Sequence, residues 1–264
     1  MKYIKSLWQY REFITASVKR EFQVKYQNSL LGGLWTVLNP LSMIFIYTVI
    51  FSQVMRTRLP ESDSLYSYSI YLCSGVITWT LFAEIVGRGQ NIFIDNANIL
   101  KKISFPRIAL PMILTISAGL NFLIIFALFI SFILIISQFP GWPIIAVIPV
   151  LAIQILFSVG LGLSLGVLNV FFRDVGQFFN IFLQFWFWLT PIVYPVDILP
   201  DIIKPLIMIG NPMAAIIAAY QTIFVKAQVP DWHTLIIPLV VGLLLCAIAM
   251  RLFIKHAHEI VDEL

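Results

Sequence analysis

Glu84 and Arg88 stand four residues apart, and Glu84 is the one acidic residue enclosed by an apolar stretch of this 264-residue chain. Acid before base at i,i+4 is the favourable order for a helical ion pair. An acid enclosed by apolar residues also fits a gate or a proton site. Other chemistry is sparse. His233, His256 and His258 all fall outside the apolar stretches, whereas Cys73 and Cys246 fall inside them, and no metal-ligand spacing or disulfide framework emerges. No paired carboxylates converge for general acid–base work. No G-x-x-x-x-G-K-[ST] pattern occurs, so the chain has no such loop for cradling nucleotide phosphates.

Between Phe178 and Trp188, seven of eleven residues are aromatic: Phe178, Phe179, Phe182, Phe185, Trp186, Phe187 and Trp188. On a helix they surround the axis, so they do not all face one way. Such rings serve as lipid-facing filler or as an interfacial belt. They also offer flat, weakly polarised faces on which the C–H surface of a pyranose slides without a strong directional bond.

The elements that must hold these residues follow from composition. Hydrophobic residues make up 60%, charged residues 11%, and mean hydropathy is +0.93. Soluble domains have roughly 45–50% apolar and about 25% charged residues. Six apolar stretches, 34–55, 65–86, 108–137, 144–172, 178–196 and 235–254, approach or exceed the roughly 20 residues a helix needs to cross a bilayer. The expected fold is therefore an all-α membrane protein with six transmembrane helices in a single domain over 1–264. It divides into an amphipathic interface helix within 1–30, spans one to five within 31–196, external helices at 197–224 and span six at 233–255. The first apolar run begins only after about 30 residues, is too long for a signal h-region and lacks a cleavage site, so it is expected to stay as a span.

Six spans put both ends on one side of the membrane. That side carries thirteen of the seventeen Lys and Arg residues, and only Arg56, Arg58, Lys204 and Lys226 fall on the other. The positive-inside rule then makes both termini cytoplasmic. The net charge of +4 is a topology signal, and nothing points to nucleic acid.

Leu7, Ile14, Val18 and Phe22 share one helical face, while Arg11, Lys19 and Lys25 lie elsewhere on the wheel. This helix is expected in the cytoplasmic headgroup layer, as an anchor or as a surface for a cytoplasmic partner. Asn39-Pro40 marks a bend facing protein in span one. Within 88–107, Ile92, Phe93, Ile99 and Leu100 alternate with polar residues and Asp95 is positioned to cap a short helix. This amphipathic piece suits a partner groove or simple headgroup contact. Ser158, Gly162 and Gly166 form a small-residue stripe for close helix packing. Pro191 and Pro195 end span five, and the two apolar pieces around Gly210, Asn211 and Pro212 are too short to span, which suggests a re-entrant or interfacial pair.

The runs VKYQNSLLGGLWTVLNPL from Val24, FSQVMR from Phe51, YLCSGVITWTLFAE from Tyr71, RGQNIFIDNANILKKISFPR from Arg88, FFRDVGQFFNIFLQFWFWLTPIVYP from Phe171 and NPM at Asn211 occur in order over nearly the whole chain. Together they resemble the permease subunit of type 2 ABC exporters of bacterial surface polysaccharides, with greatest likeness to lipopolysaccharide O-antigen exporters.

That resemblance implies an inner-membrane homodimer working with two copies of a separate ATP-binding subunit, which would hold ATP and Mg and leave this chain without a cofactor or catalytic residues. It implies a channel lined mainly by spans one, two and five, making Trp35, Trp79, Phe182, Phe185, Trp186 and Trp188 glycan-channel candidates. It assigns ATPase coupling to the N-terminal helix and to Asn91, Asp95, Asn98 and Leu100, with Arg173 and Asp174 as a smaller contact. Segment 197–220 resembles external gate helices. The cargo would be a polysaccharide on a polyprenyl diphosphate lipid, whose acidic head needs cationic partners; Lys25, Arg88, Lys101 and Lys102 are candidates, with Glu84 at the gate. Headgroup binding and topology are their alternative roles. A capsule or teichoic-acid exporter is the nearest rival. A proton-coupled flippase would need several buried ionisable groups and has Glu84 alone, and a membrane transferase lacks its base or metal site.

Overall fold

The computed structural model describes residues 10–25, 32–50, 66–102, 109–256 and 259–263. Leu7, residues 51–65 with Arg56 and Arg58, Arg107 and His258 lie outside the described residues, as do the side chains of Lys25, Ile99 and Lys102. The described residues form helices α1 (Arg11–Lys25), α2 (Trp35–Thr48), α3 (Ser67–Gly89), α4 (Ile92–Asp95), α5 (Ala97–Lys102), α6 (Ala109–Ile135), α7 (Val147–Phe171), α8 (Asp174–Leu189), α9 (Ile203–Gly210), α10 (Pro212–Val225), α11 (Ile236–Lys255) and α12 (Glu259–Glu263). No strand occurs among them.

Among the described residues four helical stretches are long and apolar enough to cross a membrane: Ser67–Gly89, Ala109–Ile135, Trp142–Phe171 and Ile236–Lys255. A fifth results if α9 and α10, bent by 95° at Asn211, count as one broken span. The expected first and fifth spans correspond to α2 and α8, which are 14 and 16 residues long. Residues 49–50 continue the first stretch as a π turn and 51–55 lie outside the described residues, while α8 stops at Leu189, just ahead of Pro191.

α3 is the axis of the bundle, in contact with α2, α6, α7, α8 and α10. Its mean hydropathy, 1.5, is the lowest of the four crossing helices, yet 78% of its apolar window is buried, against 17–39% in the other three. The two facts have one cause. A helix surrounded by protein can carry Ser, Thr and Tyr because its neighbours or its own carbonyls satisfy them. Thr78 Oγ1 donates to the Ser74 carbonyl at 2.7 Å and Ser74 Oγ to that of Tyr71 at 2.9 Å. Gln154 of α7 is buried and donates across to the Thr78 carbonyl at 2.8 Å.

The small-residue stripe does set a close crossing. A Cβ added at Gly166 would stand 2.5 Å from the Gly89 carbonyl oxygen, and one at Gly89 would stand 2.9 Å from the Gly162 Cα. α7 meets α11 as closely on its other side, where a Cβ at Gly160 would come within 2.8 Å of the Cys246 nitrogen. Glycine thus brings both neighbours to backbone contact with α7.

Helix α8 ends in a turn that the rest of the bundle satisfies. Tyr71 Oη donates to the carbonyls of Pro191 at 3.0 Å and Tyr194 at 2.8 Å, Gln221 Nε2 to Pro191 at 3.2 Å, and Tyr68 Oη to the Val193 carbonyl. Asn211 closes the same region. Its Oδ1 accepts from Trp186 Nε1 at 2.9 Å and, as the cap of α10, from the Met213 amide at 3.1 Å, while its Nδ2 donates to Thr190 Oγ1 at 2.9 Å. Pro212 at the first position of α10 needs no amide partner, and α10 is buried against α3 along most of its length.

Two stability outcomes follow. Gly166→Val forces α3 and α7 apart and should destabilise the protein by ~1–3 kcal/mol, read as a lower thermal midpoint in detergent. Gly119→Ala, at a helical glycine with open space around it, should hold or slightly raise that midpoint. Asn211→Leu orphans the Trp186 indole N–H and uncaps α10, a loss of about 1–3 kcal/mol, and an unchanged midpoint would show that this amide does not hold the turn.

Candidate functional site

The predicted aromatic residues separate into two sets. Trp79 lies in the core, 7% exposed, with its ring 5.1 Å from Phe82 and 5.7 Å from Phe187. Trp186 is half-buried and forms the hub of an aromatic cluster, at 5.1 Å from Phe82, 5.3 Å from Phe182, 6.2 Å from Trp79 and 6.4 Å from Phe157. Its N–H is engaged by Asn211, so within this chain these two tryptophans serve as packing. The outer face of α8 differs. Phe178, Ile181, Phe185 and Trp188 are all more than half exposed and recur at three- and four-residue steps, with Phe182 at the margin and stacked on Phe178 at 6.4 Å. Trp35, at the start of α2, is 47% exposed.

Of the predicted charged residues, Glu84 and Arg88 meet at the end of α3. Arg88 Nη2 donates to Glu21 Oε2 of α1 at 2.7 Å, while its Nη1 stands 3.6 Å from Glu84 Oε1 and 3.4 Å from Ser117 Oγ of α6. Asn121 Nδ2 of α6 donates to the other Glu84 oxygen at 2.8 Å. The i,i+4 pair therefore exists, but the shorter bond joins Arg88 to a helix 67 residues away. Beside this cluster is a cavity of about 680 Å3 between α1, α3, α4 and α6, which Arg20, Asp95 and Asn96 also line. Burial raises the Asp95 carboxyl pKa, and the Arg88 charge partly offsets the rise. Helix α1 lies on α6 through Ile14 and Val18, which pack with Ala109, Ile113 and Phe22. Lys101 is exposed on α5; Lys25 and Lys102 end α1 and α5.

The expected single helix after α3 is two, α4 and α5, broken at Asn96. Asp95 ends α4 instead of capping the next helix; Asn96 occupies that place, and its Nδ2 donates back to the Ile92 carbonyl at 2.8 Å. The apolar face expected to meet a partner is also spent internally. Ile92, Phe93 and Leu100 are buried, with Phe93 stacked on Phe253 at 5.6 Å. An apolar face buried in its own bundle is not also available outside, so Leu100 is a core residue, and Asp95, Asn98 and Lys101 are the exposed groups among the described side chains here. Arg173 and Asp174, both exposed, form the turn into α8, where Asp174 complements the helix N-terminus.

Beneath that turn is an amide network not anticipated from sequence. Asn169 Nδ2 donates to the Gln90 carbonyl at 2.9 Å and to Asn91 Oδ1 at 3.0 Å, and its Oδ1 accepts from the Gly176 amide at 2.9 Å. Gln90 Nε2 donates to Asn180 Oδ1 at 2.6 Å. The α3–α4 turn and the start of α8 thereby share partners at the end of α7. The available signal was Asn169 itself, an uncharged amide within an apolar run, which in lipid must face protein. Among the described residues no group of three or more His, Cys, Asp or Glu is placed to hold a metal.

Residues 12–225 match the family described as ABC-2 type transporter. The chain is 29% identical to the O-antigen export system permease protein RfbA of Myxococcus xanthus over 265 residues, covering all of both chains. It is 30% identical over 254 residues to the protein of the same name from Klebsiella pneumoniae, covering 96% of this chain and 95% of that one. The polysialic acid transport protein KpsM of Escherichia coli is 24% identical over 192 residues, 71% of each chain. A multi-pass helical bundle with matched sequence over most of its length leads to one assignment: the chain belongs to the ABC-2 type transporter family.

Proposed function

We propose that this chain is the membrane subunit of an ATP-driven exporter that moves polysaccharide of the O-antigen type, carried on a polyprenyl diphosphate lipid, across the bacterial inner membrane. The observation that carries this reading is the end-to-end similarity to O-antigen export permeases. Capsule polysaccharide is the second reading, favoured by the partial likeness to KpsM.

Two copies of the chain work with two copies of an ATP-binding subunit, which holds the ATP and Mg. Both termini face the cytoplasm, as the distribution of Lys and Arg argues. Asn91, Asp95 and Asn98 with Arg173 and Asp174 form the surface that the ATPase pushes. The Asn169 network ties the α3–α4 turn to the base of α8, so displacement of one element is carried to the other. Phe182, Phe185 and Trp188, with Trp35, form the weakly polarised track for the moving sugar chain, while Trp186 on the inner side of α8 packs it against Trp79 of α3. Helices α9 and α10 form the external gate. Arg88 receives the lipid diphosphate, with Lys25, Lys101 and Lys102 supplying further positive charge.

Mild-detergent purification of the tagged chain from its native membrane should yield a complex of two permeases and two ATP-binding subunits, weighed by native mass spectrometry. Recovery without any ATPase, from cells that express one, would overturn the exporter reading. In such cells Phe185→Ala with Trp188→Ala should reduce surface glycan at least tenfold with assembly and basal ATP hydrolysis retained. Normal surface glycan would remove the aromatic track.

A further inference from the structure

The cavity at the end of α3 is electrostatically unready for an anion. Two guanidinium groups, Arg20 and Arg88, line it against three carboxylates, Glu21, Glu84 and Asp95. An anionic ligand therefore reaches Arg88 only by displacing one of the carboxylates already near it. Geometry distinguishes them. Glu84 shares a helix with Arg88, is held by Asn121 at 2.8 Å, and its side chain is 21% exposed. Glu21 comes from α1, its side chain is 37% exposed, and its oxygen takes the shorter bond to Arg88, 2.7 Å. Half-exposed pairs of this kind exchange partners at small cost.

A carboxylate oxygen and a phosphate oxygen are equivalent acceptors for a guanidinium. We infer that Glu21 is an intramolecular stand-in for the phosphate of an anionic lipid, and that a lipid diphosphate binding at Arg88 displaces it and unlatches α1 from the end of α3. This deepens the export reading above and rests on it for the identity of the lipid. Once Glu21 is displaced, the packing of Ile14, Val18 and Phe22 with Ala109 and Ile113 still seats α1 on α6. Its charged side, with Lys19 and Arg20 exposed, can then shift relative to α4. Lipid occupancy would thus be reported to the same segment that the ATPase is proposed to push.

The test uses the complete transporter in phosphatidylcholine nanodiscs, with geranylgeranyl diphosphate as the probe and geranylgeraniol as the uncharged control. Glu21→Gln and Glu21→Ala should each bind the diphosphate about tenfold more tightly than the unaltered protein and bind the alcohol equally. Hydrogen exchange of the α1 amides should accelerate on adding the diphosphate to the unaltered protein, and should already be fast in both variants. A variant that binds the diphosphate no more tightly, or α1 exchange indifferent to the diphosphate, overturns the latch. If unaltered protein and variants bind it equally, the export reading stands and the latch falls. If none binds the diphosphate in preference to the alcohol, the lipid-diphosphate cargo and the latch fall together.

Discussion

A backbone carbonyl or amide side chain placed in hydrocarbon has no water to turn to, and the architecture of this protein is arranged around that constraint. Helix α3 answers it most fully. Surrounded by five other helices, it carries the tyrosines that satisfy the broken end of α8, accepts a buried glutamine from α7, and ends in the arginine that joins α1, α6 and its own Glu84. Its sequence is the least apolar of the crossing helices because it is the one with least contact with lipid.

The same constraint explains the irregular outer region. Pro191 and Pro195 stop α8, which frees carbonyls at membrane depth, and Tyr68, Tyr71 and Gln221 converge on those carbonyls. Asn211 does three things within one side chain: it caps α10, engages Thr190 and holds the Trp186 indole. The result is a rigid junction from which the exposed aromatic face of α8 projects. A track for a sliding polymer needs flat surface without strong directional bonds, and rings supported from behind by other rings supply it.

At the opposite end of the bundle the design is polar and jointed. Asn169 connects the turn after α3 to the start of α8 by amide hydrogen bonds, which hold position without the desolvation cost of charge. Charges are kept instead where the cavity beneath α1 admits solvent or ligand, and there Arg88 is shared between partners from two helices. A shared cation with unequal partners is suited to rearrangement, whereas an amide network that spans three elements is suited to transmitting it.

Composition and periodicity alone determined that this is a helical membrane protein, that 14, 18 and 22 form one apolar face, that prolines end α8, that a break falls at 210–212 and that small residues on α7 permit a close crossing. These properties depend on residue type and on neighbours within a few positions, where backbone geometry is nearly fixed. Tertiary structure alone decided which aromatics are core and which are surface, because seven rings around one helix give no preferred face. It decided that Leu100 packs inward and that Asp95 ends a helix instead of opening one, since both depend on what α7, α11 and α12 bring alongside. It also decided that Arg88 bonds most closely to Glu21, a partner 67 residues distant. An ion pair is set by the distance between charges in space, and sequence proximity offered only Glu84.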